Sequence, residues 1–81
     1  MLIMWDEPKR RANLEKHGVD FADIDAEFFL TAIIRPAKMG CYSAIGYIGG
    51  VITVIFAELG TEAFSIVSAR PASIKERMMW Q

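Results

Sequence analysis

The run YSAIGYIGGVITVIFA, residues 42–57, decides the fold. From Ala44 to Ala57 it is almost wholly apolar, but it falls short of the roughly 18 residues of a membrane-spanning helix, and Gly49-Gly50 cuts it in two. The halves, Tyr42 to Ile48 and Val51 to Phe56, are rich in β-branched and aromatic residues, which marks them as strands. Two glycines between Ile48 and Val51 suit a tight hairpin turn that needs positive φ. Val51 to Phe56 is apolar on both parities except at Thr53, so it is expected to be the central strand, covered on both faces.

Outward from this hairpin, Ile33-Ile34 and Phe64 to Ala69 are further β-rich runs, set off by Pro36, Gly40 and Gly60. Together the four suggest an antiparallel meander. Pro71 cannot donate a ladder hydrogen bond and ends the last strand near Arg70. Leu2 to Trp5 can add a strand, after which Asp6 or Glu7 caps a helix over Pro8 to His17 that stops at Gly18. That helix has only Ala12 and Leu14 as apolar residues, so tertiary contacts must hold it. Asp20 reads as the cap of a second helix, with Val19 and Ile24 as a hydrophobic staple and Phe21, Ile24 and Phe28 as its buried stripe. Asp23 and Glu27 fall on its solvated side. Ser73 and Glu76 have capping-box spacing for a short final helix. The expected order is β-α-α-β-β-β-β-α. This is an α+β domain over residues 1–81, with an antiparallel sheet of four to five strands, two N-terminal helices and one short C-terminal helix.

With 81 residues and 53% hydrophobic composition, the chain can fold as one domain that buries about 60% of its unfolded surface. Cys41 is the only cysteine, which excludes an internal disulfide and a thiolate metal cluster and suits a reducing cytoplasm. Met1 to Trp5 runs straight into Asp6 and Glu7, without the basic n-region of a secretory signal. A cytoplasmic protein with no membrane partner is expected. The net charge of −1 argues against a nucleic-acid partner, but the charge is unevenly placed. Asp20, Asp23, Asp25 and Glu27 form one acidic cluster, outside which nine basic residues face six acidic ones.

RNA can be cleaved without a metal by a base near the 2′-OH, an acid near the leaving oxygen and fixed positive charge for the phosphorane. His17 is the only histidine, the residue type whose ordinary chemistry suits proton transfer near neutrality, although a histidine before Gly18 also serves as a helix cap. Lys9, Asn13, Lys16 and His17 are spaced to share one helix face. Arg70 can grip a phosphate with two parallel donors, or form an ion pair with Glu76 or Glu58. Glu76 is explained by its cap, and Arg77 and Lys75 either hold phosphates or form a solvated face. Trp5 and Met79-Trp80 offer aromatic surfaces for bases, with core packing the simpler fate of Trp5. Asp23 and Glu27 could bind Mg²⁺ in a metal-dependent nuclease, but helix solubility accounts for them more simply. No phosphate loop or nucleophile elbow is present, and no cofactor is expected.

Trp5-Asp6-Glu7-Pro8-Lys9, Asn13, Lys16-His17-Gly18-Val19 and Phe21 resemble the opening signature of the BrnT family of type II toxins. Ala44-Ile45-Gly46 and Ile66 to Ser73 with Glu76-Arg77 continue the resemblance through nearly the whole chain. It implies a RelE-like, metal-independent endoribonuclease neutralised by a BrnA-type antitoxin with a ribbon-helix-helix domain, which alone would touch promoter DNA. It maps the family's Lys-His-Gly segment onto Lys16, His17 and Gly18 and its late arginine onto Arg70; with the residue reading above, the expected catalytic set is Arg70, His17, Lys16 and Glu76, with Lys9, Asn13, Trp5 and Arg77 on RNA. Cys41 and Ser65 stand where the family pattern has arginine, which leaves a second reading open: a weakened homologue that acts as a protein-binding module.

Overall fold

The computed structural model describes residues 1–80. Five strands form one mixed sheet: β1 (Leu2–Met4), β2 (Ile33–Pro36), β3 (Tyr42–Tyr47), β4 (Val51–Leu59) and β5 (Ala63–Pro71), in the order β1-β5-β4-β3-β2. β2 to β5 make the expected antiparallel meander, with β4 in the middle. β1 departs from it by pairing parallel to β5, Leu2 opposite Ala63 and Met4 opposite Ser65. Three α-helices complete the fold: α1 (Glu7–His17), α2 (Ala26–Thr31) and α3 (Ile74–Trp80).

The hairpin loop is longer than expected. Tyr47 pairs with Val51, so Ile48, Gly49 and Gly50 make a three-residue connection in which Gly49 has φ 62°. The second helix also differs, being broken in two. Asp20 caps only a 3₁₀ turn, Phe21–Asp23, and α2 starts afresh behind Asp25, whose carboxylate accepts from the Phe28 amide at 2.9 Å. Two aspartates five residues apart each offer the backbone a local acceptor, and Ile24 between them is extended. The predicted stripe survives the break, because Phe21, Ile24 and Phe28 are all buried.

Those residues, with Phe29 and the 3₁₀ turn, cover one face of the sheet over Ala44, Ile52, Val54, Phe56, Ile66 and Ala69. Phe29 meets Phe56 and Phe64 edge-on, each at 5.0 Å between ring centres. Gly46 is required by this packing. A Cβ there would lie 2.6 Å from Cε1 of Phe28, whose ring is itself buried against the strand. Gly46→Ala therefore overpacks a rigid contact and should cost about 2 kcal/mol, read as a melting temperature lower by roughly 10 °C.

The opposite face of β4 is covered by α3. Ile45 and Thr53 are buried there, although neither belongs to the main core cluster. The fully buried Thr53 hydroxyl makes no hydrogen bond of normal geometry, and the nearby Glu76 carboxylate is the group that feels it. Among the described residues no helix is long and apolar enough to cross a membrane.

Candidate functional site

β1 pairs with β5 only as far as Ser65, which leaves the rest of that edge of β5 without a strand partner. α1 lies along it. This helix starts where Asp6 accepts from the Lys9 amide and ends at Gly18, whose left-handed conformation (φ 72°) lets its N–H reach the Leu14 carbonyl. Its one buried residue is polar. The Asn13 side-chain amide donates to the Ala69 carbonyl at 2.7 Å and to the Val19 carbonyl at 2.9 Å, while its oxygen accepts from the Ala69 N–H at 3.0 Å. Asn13 thus takes the place of the missing strand. Arg10, paired with Glu7 on its own helix, fixes that helix to the 3₁₀ turn through Asp20, and both carboxyls titrate below their ordinary values. Hydrogen bonding to Arg10 leads for Glu7, and the Ala22 amide followed by Arg10 for Asp20.

The helical spacing of Lys9, Asn13, Lys16 and His17 is realised. With Ala12, Val67 and Ser68 they line a shallow open cleft of about 290 Å³ between α1 and β5. Lys9 and Lys16 are exposed and His17 is half-buried. Val67 reaches the cleft because a bulge opposite Ile55 and Phe56 leaves it as the extra residue of β5.

Arg70 lies elsewhere. It pairs in register with Thr53, on the face under α3. Its Nη1 and Nη2 donate to the two Glu76 carboxylate oxygens at 2.7 and 3.0 Å. Glu76 closes the predicted capping box as well, accepting from the Ser73 amide at 2.7 Å while its own amide donates to Ser73 Oγ at 3.2 Å. The Arg70 hydrogen bonds, against the cost of burial, hold the Glu76 carboxyl at about 2, and it stays ionised at any physiological pH. No direct contact joins Arg70 to Lys16 or His17 among the described residues. Ser68 links the two places, since it lines the α1 cleft and precedes Arg70 by two residues on the same face of β5.

Trp5 packs against the core and donates from its ring to Glu7 at 3.2 Å. Arg77 is tied by Nε to the Ala72 carbonyl at 3.1 Å. Arg35 on β2, which the sequence reading passed over, shares the sheet face of Arg70. It follows from the row Arg35, Ser43, Ile55, Ser68, and its Nη1 reaches Met79 Sδ at 3.3 Å. Its signal was an arginine between the apolar Ile34 and Pro36, readable only once the register is known. Cys41 is half-buried at the start of β3, and Ser65 is held between Met4 and Ala57 in the sheet. Asp23 and Glu27 sit on the 3₁₀ turn and α2, and no group of three metal-ligating side chains is gathered among the described residues. An apolar cavity of about 300 Å³ near α2, lined by Phe29, Leu30, Ile34 and Tyr42, offers no cation to a phosphate.

A small mixed sheet with a cation-lined cleft where α1 covers one edge, and an arginine paired with a carboxylate further along the same strand, is the arrangement that the site presents. The sequence profile of the ribonuclease toxin BrnT of type II toxin–antitoxin systems matches residues 5–76, and the chain belongs to that family. The crystal structure of the Brucella abortus ribonuclease toxin BrnT superposes with a TM-score of 0.85 at 51% identity, over 90% of this chain and 97% of that one. Comparison with curated proteins gave no match. The chain is therefore a ribonuclease toxin of a type II system, with RNA as substrate and an antitoxin as partner.

Proposed function

We propose that this toxin is a metal-independent endoribonuclease, acting in the cytoplasm, whose substrate crosses the cleft between α1 and β5. The observation that carries this reading is the cleft in which Lys9, Lys16 and His17 line up beside Ser68, with Arg70 two residues further along the strand. Ser68 and Arg70 are about 6.6 Å apart along β5, a distance that a short stretch of RNA backbone spans. Lys9 and Lys16 hold phosphates by charge, and Arg70 stabilises the phosphorane with its planar donors. His17 is the proton carrier. His17 takes the proton of the ribose 2′-hydroxyl as its oxygen attacks phosphorus, the bond to the 5′-oxygen breaks, and that oxygen takes up the proton from His17, leaving a 2′,3′-cyclic phosphate and a 5′-hydroxyl.

Asn13 contributes to this site through the fold, since its amide is committed to Ala69 and Val19. The antitoxin is of the BrnA type, carrying the ribbon-helix-helix domain through which the complex reaches its promoter. The test is cleavage of single-stranded RNA by the purified chain in excess EDTA. Undiminished activity with cyclic-phosphate ends is expected. Loss of activity on chelation overturns the metal-free mechanism, and antitoxin binding without cleavage would mark a binding module instead.

A further inference from the structure

An arginine side chain offers five N–H donors along three edges of one plane, and Glu76 occupies only one of those edges. The carboxylate meets Nη1 and Nη2 end-on. Among the described residues Nε has no hydrogen-bond partner, so the side edge formed by Nε and the outer hydrogen of Nη2 is left for another anion. The Arg70 side chain is 38% exposed against 19% for Glu76, so the guanidinium is the member of the pair more open to solvent.

We infer that Glu76 is the positioning residue of the ribonuclease site, fixing the plane of Arg70 so that its side edge meets the scissile phosphate. The inference rests on the assignment of Arg70 as the phosphate-stabilising group. Glu76 is suited to the task because it is itself immobilised. The Ser73 backbone amide holds one oxygen, and Thr53 lies beneath it in the sheet. A free arginine would have to be ordered by each substrate in turn. Here the ordering is done by folding, and the loss of freedom falls outside the catalytic cycle. Glu76 is no proton carrier, since a carboxyl held at about 2 has no proton to give near neutrality.

The capping box and the positioning role can be separated, because glutamine at the same helix position still caps. Glu76→Gln keeps the cap but loses the charge and one of the two acceptor oxygens facing Arg70. Ser73→Ala removes the cap's hydroxyl and leaves the carboxylate pair. Steady-state cleavage of a short single-stranded RNA by the full chain is the readout, with thermal melting alongside. In Glu76→Gln, kcat is expected to fall about tenfold while KM stays nearly constant, the pattern of an interaction made in the transition state, and the melting temperature falls as well because the charge pair with Arg70 is lost. Ser73→Ala should lower the melting temperature and spare kcat. Unchanged kcat in Glu76→Gln beside an inactive Arg70→Ala overturns the positioning role and leaves the assignment of Arg70 standing. An active Arg70→Ala overturns both. Faster cleavage by Glu76→Gln would mean that the carboxylate competes with RNA for the fork. Equal loss of kcat in Ser73→Ala would reduce Glu76 to a structural cap, and either result overturns the inference.

Discussion

Replacing Arg70 by alanine is expected to lower the rate of RNA cleavage by about a hundredfold, with a much smaller effect on stability. The phosphorane gains negative charge that the ground-state diester lacks, and Arg70 is a cation that a second side chain already holds in a fixed plane. Pre-set donors of this kind commonly contribute the largest single part of an enzyme's acceleration. The folding cost is modest because the Arg70 side chain is more than a third exposed and Glu76 keeps its bond to the Ser73 amide when the guanidinium is gone. Arg70→Lys supplies the control. It keeps the charge but loses the planar fork, so it should recover only a minor part of the lost rate. The measurement is single-turnover cleavage of a labelled RNA at saturating protein. A rate within a factor of about three of the parent would remove Arg70 from the chemistry, because one lost transition-state donor is larger than that.

The parts of the fold written in local pattern were legible from the sequence. The glycine pair, the run of β-branched residues to Phe56 and the Ser73–Glu76 spacing are each decided within a few residues, and each formed, the turn by one residue longer than expected. The parallel pairing of β1 with β5 was not legible, because it joins Leu2 to Ala63 across the whole chain and no local period encodes it. The break between the 3₁₀ turn and α2 was missed for the opposite reason. The hydrophobic stripe of Phe21, Ile24 and Phe28 is the same with or without the break, so periodicity does not register it. For the candidate site, helical spacing was enough to place Lys9, Lys16 and His17 on one cleft. It could not show that Arg70 opens on the α3 face, since that depends on register with Thr53. Of the two readings of Arg70, the structure shows the ion pair, formed end-on with Glu76, and the phosphate contact is the proposal.

Asn13 gives the largest expected effect on stability, and for a reason that reading it as an RNA contact conceals. Asn13→Ala removes three hydrogen bonds at once and strands the N–H and C=O of Ala69, which is completely buried, on an edge where β1 no longer provides a partner. Unsatisfied buried backbone groups cost about 1–3 kcal/mol each, and a loss of about 3 kcal/mol overall is expected after partial relaxation. For a domain of this length that is a large share of the total, and the melting temperature should fall by roughly 15 °C. Asn13→Asp should fare little better, because a carboxylate has no N–H to offer the carbonyls of Ala69 and Val19. Lys16→Ala makes the comparison sharp. Lys16 lines the same cleft from the same helix but is exposed, so its removal should leave melting within about 0.5 kcal/mol of the parent while weakening RNA binding. Thermal melting of the three variants by circular dichroism decides the matter. If Asn13→Ala melts with Lys16→Ala, the bond from α1 to the edge of β5 is not what holds the helix. If it melts far below, the same bond that completes the sheet is what brings Lys9, Lys16 and His17 to the strand carrying Arg70.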